Sequence, residues 1–544
     1  MNTNKLKQAA YGLFFFTYSL LANAEFIGQN VPATNIYTVD YARGNDTTGN
    51  GTDTKPWKTN AKACASVTKP NSIIYIRGVG TQETVQCVLP VGVSIKCEKQ
   101  TTYIKATSAL APMIALFSPS QGTYGGQSIT GCTLDGNSRV GSSAIEVKGR
   151  SFVNISNNNI KDWDDHGVDF GGLSTSGADN LTNVQVASTF AVGNIFSNNI
   201  CTNSAKFSGY GRGCLQIGSQ DGMLISYNTM SQLGRGGGNQ GWPIKFLRGG
   251  GFKDLKILNN NLSRDALNGD NFNFTIELTG LFGKSEIAYN VMSAALDVNG
   301  IFTNTNDVAL DFHDNTVGPS AYNTICTTAG CNSIGVIIEF SSSNIWIRNN
   351  VFKNLKIIVD NEFHNGGVNQ REIHVENNLG IGICQVTAMN TGGTNNSLVN
   401  VFFQQNTFYA ASSGLCGGAT YGISLAGLPT RSIVIRNNIL VGFNIYGIWF
   451  YSGDYDRVTV DNNLYYNNGS NLNKSGVNIT NFNETNALTG DPLFVNGSGL
   501  FNTPLDFKIQ TGSPAKYTGY AGTLPIDITN NARQLQTSIG AFEF

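Results

Sequence analysis

One short phrase recurs along this chain and constrains its fold more than any other feature. It reads apolar, any residue, apolar, two residues, Asn, any residue, apolar. Clear copies are VNISNNNI at 153–160, MLISYNTM at 223–230, LKILNNNL at 255–262, LDFHDNTV at 310–317 and IWIRNNVF at 345–352. VFFQQNTF at 401–408, IVIRNNIL at 433–440 and VTVDNNLY at 458–465 continue the series, with weaker copies at 193–200, 285–292 and 373–380. The key Asn falls at 158, 198, 228, 260, 290, 315, 350, 378, 406, 438 and 463, at intervals of 25 to 40 residues. Apolar residues alternate at a period of two and nowhere hold a period of 3.6, so the repeat unit is built from strands. Two or three short strands fit between copies, which suits one turn of a solenoid; a propeller blade needs four. Stacked identical turns let Asn amides bond in a ladder, and Asn tolerates a left-handed bend. These asparagines are therefore structural.

The start of the chain is a targeting segment. Lys5 and Lys7 precede an apolar run from Tyr11 to Leu21, and Ala22-Asn23-Ala24 offers a cleavage site. The mature chain is expected to begin near Glu25 as an exported protein, secreted or periplasmic. No later stretch is long enough for a membrane helix. The net charge of −1 excludes a phosphate-backbone partner, so no nucleic acid is expected. Ten cysteines in an exported chain point to disulfides, with Cys326–Cys331 and Cys201–Cys214 the shortest loops to close and the pairing otherwise open.

The repeat resembles the right-handed parallel β-helix superfamily that includes pectate lyases, chondroitinase-type lyases, alginate epimerases and tailspike-like proteins. The entry segment YTVDYARGNDTTGNGTDTKPWKT at 37–59 and the coils GVSIKCE at 92–98 and SITGCTLDG at 128–136 extend the likeness. So do DPLFVN at 491–496, LDFKIQTGSPA at 505–515 and SIGAFEF at the end. The resemblance implies an all-β, right-handed, single-stranded parallel β-helix of about a dozen coils. The expected layout is a signal peptide at 1–24, a cap and first coils at 25–127, the main coils at 128–480 and a closing segment at 481–544. A monomer acting on an acidic polysaccharide is the functional expectation.

After each Asn turn sits a second apolar-x-apolar unit. These are Val168-Asp169-Phe170, Leu215-Gln216-Ile217, Ile244-Lys245-Phe246, Ile276-Glu277-Leu278, Leu296-Asp297-Val298 and Ile338-Glu339-Phe340. Later coils give Ile357-Ile358-Val359, Ile423-Ser424-Leu425 and Ile448-Trp449-Phe450. Strand side chains alternate between faces, so the middle residues point outward, on rungs about 4.8 Å apart. Asp169, Gln216, Lys245, Glu277, Asp297 and Glu339 would then form an outward stripe roughly 25 Å long. Outward strand faces are commonly polar. This chain, however, is only 13% charged, and like charges on neighbouring rungs call for compensation. Glu277, Asp297 and Glu339 are the candidate metal ligands, and hard oxygen donors suit Ca²⁺.

Lyases and C5 epimerases of this fold remove the proton α to a uronate carboxylate, which requires charge neutralisation, a base and a proton donor. Lys245 is the candidate base, Arg248 the residue that meets the substrate carboxylate, and His166 in DWDDHGVDF an acid–base group. Acidic neighbours hold a lysine charged, so the base role depends on the metal. This set is similar to that of the calcium-assisted chondroitinase-type lyases. Asp169, Gln216, Trp242 and Arg264 are candidate substrate contacts, with Tyr210 and Trp163 as further stacking rings. LDFHDN resembles the DPHD signature of alginate epimerases, but Phe312 replaces the Pro and the Asn-turn repeat already explains His313. Two rival functions remain: a glycan hydrolase acting through paired carboxylates, and a non-enzymatic adhesive β-helix.

Overall fold

The computed structural model describes residues 35–99, 103–171, 190–205, 212–232, 241–246, 251–264, 274–281, 283–301, 308–318, 334–340, 342–362, 369–390, 397–497 and 503–544. The expected signal peptide and Glu25 lie outside these residues. The chain winds as a parallel β-solenoid of about 11 turns. Each turn supplies strands to three faces. In one coil these are His166–Gly171 on face one, Ile195–Ser197 on face two and Ile200–Thr202 on face three. Faces one and two merge into one 31-stranded sheet, and face three is a separate 15-stranded sheet. The strand pairs between coils are parallel. Parallel connections within one sheet favour the right-handed crossover. No helix among the described residues is long and apolar enough to cross a membrane.

The asparagine phrase marks the corner between faces two and three. Asn158, Asn199, Asn228, Asn260, Asn290, Asn315, Asn350, Asn378, Asn406, Asn438 and Asn463 are all buried. Each Nδ2 donates to Oδ1 of the next asparagine at 2.9–3.2 Å. The same Oδ1 accepts the backbone N–H of the preceding asparagine. The second Nδ2 proton goes to a carbonyl of the preceding coil, such as Ile257 for Asn290. Two donors and two lone pairs are thus all used.

Two sequence expectations change here. The ladder residue of the 193–200 copy is Asn199, not Asn198, because that copy is offset by one position. The left-handed bend also falls one residue earlier than the ladder asparagine. Asn157, Asn198, Tyr227, Asn259, Tyr289 and Asp314 carry φ of 54° to 59°. The amide ladder and the strained bend are therefore borne by adjacent residues.

The solenoid interior is one apolar cluster running from Val39 to Tyr465. At its N-terminal end the helix Asn60–Ser66 packs Ala63 and Cys64 into that core, and Cys64 is bonded to Cys87. Cys97–Cys132, Cys201–Cys214 and Cys384–Cys416 tie neighbouring coils, while Cys326 and Cys331 lie outside the described residues. The C-terminal segment does more than close the end. It lies along face three, where Phe494, Phe507, Ile539 and Phe542 pack on Leu379, Ile439 and Leu464. Arg533 Nη2 donates to Asn377 Oδ1 at 2.6 Å, pinning that segment to the corner.

From His313 onward, the residue two places before the ladder asparagine belongs to a polar column on face two: His313, Arg348, Glu376, Gln404, Arg436 and Asp461. His313 stands over Arg348, then Glu376, as the repeat requires. Its Nδ1 lies 2.7 Å from Asp314 Oδ2 and its Nε2 3.3 Å from Glu286 Oε1. Burial opposes charging, but the hydrogen bonds to these carboxylates outweigh it and raise the His313 pKa to about 9. His374, the next imidazole along face two, is stacked between Trp346 and Phe402. His364 lies outside the described residues.

Asn290→Ala takes the acceptor from the Asn260 N–H and the side-chain donor from the Ile257 carbonyl, so thermal and denaturant unfolding should show a loss of about 2 kcal/mol or more. Asn259→Gly should change stability little, because φ of 57° suits glycine. For His313 the folded pKa is raised, so its stabilising contribution is complete below about 6.5 and is lost as pH rises through about 9. His313→Gln should remove that part of the pH dependence of the melting temperature.

Candidate active site

The outward column of face one runs Ala115, Glu146, Asp169, Gln216, Lys245, Glu277, Asp297, Ile337, Asp360 and Ala388. Five of the six expected stripe residues, Asp169 through Asp297, stand on consecutive rungs. Glu339 does not join them: it pairs with Asn299, and Ile337 occupies the rung beside Asp297. The slip is two residues, so Glu339 keeps its outward sense but moves to the next column. In Gly335-Val336-Ile337-Ile338-Glu339 the apolar run gives no frame, and only pairing sets it. The Ile357-Ile358-Val359 unit fails for the same reason. Ile358 points into the core and Asp360 takes the column position.

Glu146 is the member that reading of the sequence missed. Its unit, Ile145-Glu146-Val147, has the same pattern as the others but precedes the first clear Asn phrase, so a search after each Asn passes over it.

The column is not an open strand face. Asp169, Gln216, Lys245, Glu277 and Asp297 are 3, 1, 4, 8 and 2% exposed. Lys245 Nζ is 2.5 Å from Glu277 Oε1 and lies over the Trp242 ring at 4.7 Å. Arg264 also lies over that ring, 5.2 Å from its centroid. Trp242, expected as a sugar-stacking ring, is itself buried and stacked on Phe274 at 6.3 Å. These two rings join Ala295, Ile334, Ile337 and Ile357 in a small apolar cluster beside the column. Trp163 is wholly buried in the core and does not face ligand. Arg248 and Tyr210 lie outside the described residues.

At the N-terminal end of the column His166 and Asp169 stand near Glu146. His166, the expected acid–base group, is 3% exposed. Its Nδ1 lies 3.0 Å from Asp165 Oδ2, and its Nε2 lies 3.6 Å from Glu146 Oε1. Asp165 is also paired with Arg212. Burial works against ionisation of Asp165, yet its bonds to His166 and Arg212 outweigh this and hold its pKa low. Asp169 is different: burial pushes its carboxyl up to about 7. Lys148 Nζ sits 2.9 Å from Glu146 Oε2.

The three carboxylates expected to hold Ca²⁺ do not suit a common ion. Glu277 is neutralised by Lys245, and Glu339 is two residues out of register with Asp297. No step is derived through calcium at that place. What this part of the column does offer is a buried ammonium–carboxylate pair flanked by an arginine and an apolar wall.

No protein-family model matches the chain, and no curated protein matches it. Solved structures do. A mannuronan C-5 epimerase A-module of Azotobacter vinelandii is 12% identical with a TM-score of 0.27, over 79% of this chain and 93% of that one. An alginate lyase of a Paenibacillus strain is 12% identical with a TM-score of 0.33, over 68% and 99%. A surface adhesin of Streptococcus pneumoniae is 11% identical with a TM-score of 0.37, over 76% and 84%. At these identities and scores the likeness carries no inference about activity, and enzymes and an adhesin stand side by side. By its own strand pairing the chain is a parallel β-helix.

Proposed function

We propose that this protein is a carbohydrate-active enzyme that acts on a uronate-bearing polysaccharide, by β-elimination or C5 epimerisation, at the Lys245–Glu277 pair. One observation carries the reading. Four ionisable side chains, Asp169, Lys245, Glu277 and Asp297, are buried on the outside of a solenoid, where water could have solvated them. Burying charge costs stability unless something is gained, and such clusters concentrate at functional sites.

The pair suggests a division of labour that differs from a lysine base. While Lys245 is an ammonium bonded to Glu277, the carboxylate is the basic member. In elimination Glu277 takes the C5 proton, the C5–H electrons form the C4=C5 bond, and the C4–O bond breaks. Lys245 then donates a proton to the leaving oxygen. This leaves a neutral amine beside a carboxylic acid, and one proton crossing their hydrogen bond restores the ionised pair. Arg264 supplies positive charge opposite the uronate carboxylate, and Gln216 bonds sugar hydroxyls. The disulfides suit an exported protein in an oxidising compartment.

Ultraviolet absorbance of unsaturated uronate, followed on a panel of uronate polymers, tests this. Lys245→Ala and Glu277→Gln should each lower the rate by about 100-fold or more. Together they should cost little more than either alone, because the two act as a unit. Removing one partner of a buried pair also destabilises by about 3–5 kcal/mol, so melting curves accompany the rates. The double variant Lys245→Met/Glu277→Leu should keep the fold and lack activity. New reducing ends without absorbance would replace elimination by hydrolysis. Binding without any product would favour the adhesive reading.

A further inference from the structure

We propose that Glu146, His166 and Asp169 form a binding site for one divalent transition-metal ion. The proposal rests on this cluster alone and not on the proton-transfer reading of Lys245 and Glu277, from which Gln216 separates it along the column. Each of the three residues offers a ligand atom, and these atoms all lie within 4.8 Å of one another. Local backbone makes this possible. Glu146 is the direct rung neighbour of Asp169. His166 and Asp169 are three apart in one strand, yet both reach the outer side. Gly167 and Val168 between them turn inward. A Cβ on Gly167 would stand 2.5 Å from the Cys214 carbonyl oxygen and 2.9 Å from Cys201 Sγ. Only glycine fits there.

The independent sign of a ligand is a pair of buried polar atoms, Asp169 Oδ1 and His166 Nε2, that have no hydrogen-bond partner. Asp169 is 3% exposed and its Oδ1 has no hydrogen-bond partner. His166 Nε2 is likewise buried without one, and its nearest carboxylate oxygen, Glu146 Oε1 at 3.6 Å, is itself an acceptor. Asp165, paired with Arg212, lies 3.0 Å from Nδ1 and is the natural acceptor for a proton there. That tautomer leaves the Nε2 lone pair directed at the two carboxylates. A carboxylate behind a ligating imidazole is the usual outer partner in metal sites, where it fixes the ring and raises its basicity. The charged groups around the cluster are Lys148, on the other oxygen of Glu146, and Arg212, on Asp165. Neither satisfies Asp169 Oδ1.

One nitrogen and two carboxylates select a borderline ion such as Zn²⁺ or Mn²⁺ over Ca²⁺, which prefers an all-oxygen shell. Three protein ligands also leave positions open for water or a sugar oxygen.

The test uses the untagged full-length mature chain, stripped with chelator and dialysed against Zn²⁺ alone, with bound metal counted by elemental analysis. One equivalent is expected, with Ca²⁺ failing to displace it. Wild-type protein loaded with Co²⁺ should show visible bands of a nitrogen–oxygen site, a readout that needs no mutation. His166→Ala and Asp169→Asn should lose the equivalent. Asp165→Asn should weaken binding by about 10- to 100-fold. Glu277→Gln should keep it, so loss of the metal site and loss of the proposed activity are separable. No equivalent in wild type, or an unchanged one in folded His166→Ala, overturns the proposal and leaves His166 as an imidazolium between Asp165 and Glu146.

Discussion

The asparagine ladder is the interaction on which the rest of this structure depends. A solenoid has no sequence-distant core to hold its coils in register, because each coil meets only its neighbours. Apolar packing is indifferent to a shift of two residues along a strand, since inward residues stay inward. A buried amide is not indifferent. Each ladder asparagine has two donors and two lone pairs to satisfy, and they are satisfied only when the asparagines above and below stand directly in line. A misplaced coil would leave several buried polar groups unpaired, at about 1–3 kcal/mol each. The ladder therefore aligns the corner between faces two and three, and the faces inherit their alignment from it.

That alignment gives face one its chemical character. Strands separated by 20 to 47 residues in sequence deliver Glu146, Asp169, Gln216, Lys245, Glu277 and Asp297 to adjacent rungs. The spacing of about 4.8 Å is close enough for ion pairing and for shared ligation. The column divides by charge. Toward the N-terminus two carboxylates and an imidazole face one another. Beyond Gln216 a lysine and a glutamate neutralise each other against an apolar wall of Trp242 and Phe274. One outer face thus carries two ionic clusters of different character.

Faces two and three have other uses. Face two carries ordinary surface pairing, in which Asp311 with Arg348 and Arg436 with Asp461 bridge neighbouring coils. His313 belongs to that set, and its raised pKa follows from structural ion pairs. Face three is covered by the C-terminal segment, whose Arg533 is buried against Glu543 and reaches Asn377.

The sequence by itself determined the fold, because the Asn phrase recurs at coil spacing and a strand's period of two is visible in each copy. It also determined most of the column, since Val168-Asp169-Phe170 through Leu296-Asp297-Val298 carry a charge between two apolar residues. Tertiary structure decided what periodicity cannot. Pairing set the frame of the Val336–Glu339 run and moved Glu339 away from Asp297. Burial turned an expected solvent stripe into a covered one and made Trp242 a packing ring. The inward turn at Gly167 brought His166 beside Asp169, three positions along a strand that alternation alone would place on opposite faces. Local pattern reports which side a residue faces. Which residues meet across coils depends on register, and register is a property of neighbouring turns.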